Sequence, residues 1–148
     1  MNLRRALPAA VFAGAMVLSA VPAGAATPSA TGKPTTKLTN GKVVTVKWKG
    51  FNAKKDKVIA IVECTKKVTT LGQDACDVNN PVLVSPGTAS GTKTITVHTG
   101  KIGTKGGKCG TTAKDAGNCL IALSGLDAGL MAVDGQNATI PITFKVPA

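Results

Sequence analysis

Polar and apolar residues alternate with a period of two through much of the chain. In residues 43–49, Val44, Val46 and Trp48 share one side, and Thr45, Lys47 and Lys49 share the other. That pattern predicts a half-buried strand. Residues 92–98 repeat it with Ile95 and Val97. Residues 139–146 do so with Ile140, Ile142, Phe144 and Val146. Residues 57–64 are rich in β-branched side chains on both faces, and 119–124 form an apolar run. Shorter segments at 35–39 and 81–85 complete seven predicted strands. Asn40-Gly41, Gly50 and Pro86-Gly87 punctuate them as turns. No stretch carries a helical period. The expected fold is all-β, a seven-stranded antiparallel immunoglobulin-like sandwich in one domain. Pro141 cannot donate to a ladder, so its strand belongs at an edge or a bulge. Asn137-Ala138-Thr139 matches a glycosylation sequon and is read as a turn.

The N-terminus departs from this alternation. Arg4 and Arg5 precede an apolar stretch at 6–21, and Ala23-Gly24-Ala25 provides small residues for cleavage. These are the parts of a secretory signal peptide, placed at residues 1–26, with cutting after Ala25 or Ala26. Residues 27–34 read as a flexible lead, and 35–148 as the folded domain. No other run reaches transmembrane length. The expected product is secreted, extracellular and monomeric.

Removing the signal changes the charge. Both arginines lie within it, which leaves 16 lysines against 7 acidic residues and a net charge of +9. An all-lysine surface suits diffuse attraction to anionic polymers better than bidentate recognition of bases. The whole chain holds only four aromatic residues, Phe12, Trp48, Phe51 and Phe144. So few weigh against a stacking platform for nucleic acid. Trp48, Phe51 and Phe144 are assigned to the sandwich interior. His98 is the single histidine and falls on the polar phase of a strand end. No G-x-S-x-G elbow accompanies it, so no catalytic residue is assigned and an enzyme is not expected. No close cysteine pair suggests a metal site.

Four cysteines, Cys64, Cys76, Cys109 and Cys119, favour disulfides in an exported chain. Three connectivities are open. The local pairs Cys64–Cys76 and Cys109–Cys119 would each close a loop worth roughly 2–3 kcal/mol on a chain-entropy argument.

The order of these segments resembles a known family. Asn40-Gly41-Lys42-Val43-Val44-Thr45-Val46 is followed by Gly50-Phe51-Asn52-Ala53 and Val62-Glu63-Cys64. Then come Cys76, Gly87 with Gly91, Thr94-Ile95-Thr96-Val97, the cysteines 109 and 119, and Ile140-Pro141-Ile142-Thr143-Phe144. Together they look like the neocarzinostatin family. The resemblance implies a secreted, non-enzymatic carrier with both local disulfides. It further implies a cleft that protects a non-covalent, small hydrophobic chromophore of the enediyne type. Release of that chromophore damages DNA, so the expected role is antimicrobial and cytotoxic. DNA contact would be indirect, or weak through lysines, and no other cofactor is required. The implied cleft residues are Cys64, Cys76, Leu120, Leu123 and Ser124. The segments that carry aromatic residues in the family's best-known cleft here read Thr65-Lys66-Lys67, residues 77–81 and residues 99–108, all without an aromatic. The alternative is a lysine-rich immunoglobulin-like protein that associates with anionic envelope polymers or proteins and carries no chromophore.

Overall fold

The computed structural model describes residues 26–146. The expected signal peptide therefore lies outside the described residues, apart from Ala26. Nine strands are present among the described residues, where the sequence predicts seven: β1 (Ser29–Lys33), β2 (Lys42–Lys49), β3 (Val58–Thr65), β4 (Val82–Val84), β5 (Ser90–Val97), β6 (Gly100–Ile102), β7 (Gly107–Cys109), β8 (Cys119–Leu126) and β9 (Ala132–Ile142). They form a three-stranded sheet in the order β1-β2-β5, a four-stranded sheet in the order β4-β3-β8-β9, and the small hairpin β6-β7. Every strand pair is antiparallel.

The two larger sheets meet through their alternating apolar faces. Val44, Val46 and Trp48 of β2, with Ile95 and Val97 of β5, face Ile59 and Ile61 of β3, Ile121 and Leu123 of β8, and Ile140 and Ile142 of β9 in one core. Phe51 and Phe144 close into the same core, as assigned from sequence. Burial of these side chains is the main favourable term for the fold. The Trp48 indole N–H donates to the Thr88 carbonyl at 3.3 Å, which satisfies the ring's polar edge. β9 is an edge strand, where Pro141 leaves no partner unpaired.

Three expectations are corrected. The lead at 27–34 is not a flexible approach, because residues 29–33 are β1, in register with Thr45 to Lys49 of β2. Its small polar residues carry no alternation, so the strand is specified by its neighbour rather than by its own pattern. Residues 35–39 form no strand. Leu38 makes one bridge to Phe144 and is otherwise held by single backbone bonds. Asn137-Ala138-Thr139 is not a turn but lies within β9. The Asn40-Gly41 turn is present: the Lys42 amide donates to the Thr39 carbonyl, and Gly41 takes φ 77°. The Gly-Lys stretch around 100–110 contains the β6-β7 hairpin.

Both disulfides are the local pairs, Cys64–Cys76 and Cys109–Cys119. The first ties the end of β3 to a short helical segment made of α1 (Val68–Leu71) and a single 3-10 turn (Gly72–Ala75). This segment is too short to show a period in the sequence. The second joins the end of β7 to the start of β8. Within its loop, Asp115 accepts hydrogen bonds from Thr111 and Thr112. The Thr112 amide and Thr111 hydroxyl hold its carboxyl down, to about 2.

At the free edge of the three-stranded sheet, Lys93 of β5 sits opposite Val46, on the inward phase, yet it is exposed. Gly91, two residues earlier, lies under the Trp48 ring, and a β-carbon there would collide with the indole. Gly91→Ala is therefore expected to destabilise the domain by roughly 1–3 kcal/mol through displacement of the ring. Urea unfolding followed by Trp48 fluorescence would measure it, and an unchanged midpoint would show that the ring relaxes freely.

Candidate functional site

On β3 and β8, residues alternate between the core and the opposite face of the four-stranded sheet. The pairing of Val62 with Ala122 and Ala60 with Ser124 aligns these residues on that outer face. β4 adds Leu83 opposite Ala60, and β9 adds Asn137 opposite Ser124 and Thr139 opposite Ala122. These rows floor a cleft of about 640 Å³. Val68, Gly72, Gln73, Cys76 and Val78 form one wall, and Leu130 and Ala132 lie across from it. Ser124, Asn137, Thr139, Thr69 and Gln73 are the polar side chains along an otherwise aliphatic lining. No aromatic side chain lines it.

The Leu130 wall is built by local hydrogen bonding. Asp127 Oδ1 accepts from the amides of Gly129 and Met131, at 2.8 and 3.0 Å. The Asp127 amide donates to the Met131 carbonyl, and the Leu130 amide to the Asp127 carbonyl. In this tight turn Leu130 takes φ 61°, a left-handed conformation that disfavours a branched side chain. The strained residue is also 57% exposed, and Met131 beside it 68%. Left-handed strain and apolar exposure therefore coincide at one turn of the cleft wall, and both oppose stability.

The five residues expected in the cleft divide into two groups. Cys76, Leu123 and Ser124 line it, whereas Cys64 and Leu120 do not. Cys64 and Leu120 are buried with Cys76 in a small cluster beside the cleft, packed against Val62, Val68 and Ala122. Leu123 is fully buried, and its side chain belongs to the main core. Its alternation phase on β8 turns it away from the cleft, whereas Ser124 points toward it. Ser124 lies within β8. The register of β8 against β9 shifts between Ser124 and Leu126. At Gly125, between them, a β-carbon would run into the Asp56 carboxylate. Sequence reasoning missed Ala60, Val62, Leu83, Ala122, Asn137 and Thr139. The outward phase of the two predicted strands at 57–64 and 119–124 carried the signal for Ala60, Val62 and Ala122.

One buried acid lies on the core side of the same sheet. Glu63 Oε2 accepts the His98 amide at 2.7 Å and so clasps the end of β5 to β3. His98 is half-buried. Glu63 also approaches the sulfurs of Cys109 and Cys119, but both are bonded to each other and offer no thiolate to a metal. Burial lifts the Glu63 carboxyl from 4.5 to about 7; the His98 amide opposes the rise and the Asp77 charge adds to it.

The fold and the cleft define a class: an antiparallel sandwich with an apolar cleft on the outer face of one sheet. The sequence model of the Neocarzinostatin family matches residues 30–144, and the chain belongs to that family. Among solved structures, macromomycin is similar at 25% identity and a TM-score of 0.52, over 80% of this chain and 99% of that one. A solution structure of apokedarcidin is similar in fold, at 23% identity and a TM-score of 0.51, over 81% of this chain and 100% of that one. Comparison with curated protein sequences gives no match.

The Glu63 shift has a definite sign. A carboxyl raised on folding favours the protonated form, so its contribution is fully present below the unfolded value near 4.5. It is lost as pH rises through about 7. Stability is therefore expected to fall between pH 5 and pH 8, by at most roughly 3 kcal/mol. Glu63→Gln, which keeps an acceptor for the His98 amide, should flatten that dependence. Thermal melts across this range measure both, and a variant with the parent's slope would assign the effect elsewhere.

Proposed function

We propose that the protein is a secreted, non-enzymatic carrier that holds a small hydrophobic molecule in the cleft of the four-stranded sheet. The carrying observation is the aliphatic cleft with Leu130 held in a strained conformation at its wall. Family membership supports the reading, since the family resemblance implies a protected enediyne-type chromophore whose release damages DNA. On this reading residues 1–26 are removed on export, both disulfides form outside the cell, and the domain works as a monomer.

The chemistry required is modest. The floor supplies dispersion contacts from Ala60, Val62, Ala122 and Leu126, and Leu83 and Leu130 cover the ligand from the sides. Ser124 and Asn137, adjacent in register, are placed to orient one polar end of the ligand by hydrogen bonds. Without aromatic walls, affinity comes from shape and aliphatic burial rather than ring stacking. Protection follows from exclusion of water and thiols from the covered part of the ligand.

Native mass spectrometry of protein purified from its own producer is expected to show an added small-molecule mass. Ala122→Trp, which fills the floor from a solvent-facing position, should abolish it. Leu130→Gly should relieve the left-handed strain, raising stability by up to about 1 kcal/mol, while weakening ligand retention. Protein that always carries the bare mass, and shows no thermal shift with enediyne-like or aliphatic ligands, would overturn the proposal.

A further inference from the structure

The outer face of the three-stranded sheet lies outside the site just described and differs from it in chemistry. Register fixes its composition. Across the strands, Ser29, Lys49 and Ser90 form one row, Thr31, Lys47 and Thr92 the next, and Lys33, Thr45 and Thr94 a third. All are exposed except Thr45, which is half-buried. The face is thus a grid of hydroxyls crossed by three lysines. No acidic residue occurs on β1, β2 or β5. The ion pair formed among the described residues, Lys105 with Asp74, is on another part of the molecule, so these three ammonium groups are uncompensated.

Spacing gives the lysines a direction. Lys47 and Lys49 are successive same-face residues of one strand, about 7 Å apart. Lys33 stands diagonal to Lys47 across the β1-β2 pair, about 7–8 Å away. The three therefore form a line of positive charge at a near-constant interval. A shallow depression of about 240 Å³ runs beside it, lined by Ser29, Ala30, Thr31, Lys47, Trp48 and Lys49.

We propose that this face docks a flexible polyol-phosphate polymer, in which hydroxyl-bearing units are joined by phosphodiesters. Lys33, Lys47 and Lys49 meet successive phosphates, and the Ser and Thr hydroxyls exchange hydrogen bonds with the polyol. Charge complementarity selects a polyanion, and the hydroxyl grid selects a partner that is itself rich in hydroxyls. Nucleic acid fits less well. The face has no arginine for bidentate contact and no exposed aromatic for stacking, and a broad flat sheet does not enter a duplex groove. A protein partner fits less well again, since Val43 is the single large apolar residue exposed on these strands. The cleft on the opposite sheet remains free, so the proposal stands or falls independently of the carrier reading.

Binding of the mature chain to purified polyglycerol phosphate tests the proposal, with a DNA duplex at equal phosphate concentration as the comparison. Affinity for the polymer is expected to fall roughly twentyfold between 50 and 200 mM salt, as for about three neutralised phosphates on a flexible strand. Combined Lys33→Gln, Lys47→Gln and Lys49→Gln should weaken it at least about tenfold at low salt. Combined Lys101→Gln, Lys108→Gln and Lys114→Gln removes the same charge elsewhere and should change it less than about threefold. All six residues are exposed, so both variants are expected to fold, which melting curves would check. Equal losses in the two triple variants would reduce the effect to net charge and overturn the site. So would no loss in either variant, or DNA binding as tight as polymer binding.

Discussion

The pairing of β3 with β8 is the constraint on which the molecule depends. Eight consecutive residues of each strand match without interruption, from Val58 with Leu126 to Thr65 with Cys119. Because side chains alternate, this one register sends Ile59, Ile61, Ile121 and Leu123 into the core, and Ala60, Val62, Ala122 and Ser124 into the cleft. A slip by one residue would exchange the two sets. The core residues are large and branched, and the cleft residues are small. The hydrophobic energy that closes the sandwich therefore also fixes the register, and with it the concavity of the opposite face. The Cys64–Cys76 disulfide stands at the end of this pair and anchors the segment that becomes a cleft wall.

Much of this was legible in the sequence. Alternation located β2, β5 and part of β9, and β-branched or apolar runs located β3, β8 and the short β4; all but β4 carry a buried face of Val, Ile or Leu. β1, β6 and β7 were illegible for a common reason. They consist of Ser, Gly, Lys and similar residues, and only Ile102 and Cys109 among their side chains are fully buried. Their pairing is supplied by neighbours already in place, so no local signal specifies them. Residues 35–39 erred in the opposite direction: a short β-prone run with a single buried side chain, Leu38, did not find a ladder.

The cleft was legible in outline and misassigned in detail. The cysteine spacing and the family resemblance pointed to the region around Cys64 and Cys76. Leu123 and Ser124 are adjacent in sequence but lie on opposite faces, so proximity to the cleft along the chain did not decide which side chain enters it. The Leu130 wall left no trace in composition. Gly129 is next to it and is the residue expected to take a left-handed conformation, yet the hydrogen bonds to Asp127 place that conformation on Leu130 instead.

Lys93 has a consequence beyond its own strand. β5 pairs with β2 on one side, and its other side carries backbone groups without a strand partner among the described residues. A second copy of the chain could extend the sheet there only by covering the inner row that begins with Val46, where Lys93 holds a charge. Burying that ammonium would oppose the added strand. An inward-phase lysine at an exposed edge is thus a charge that opposes edge-to-edge pairing with another copy.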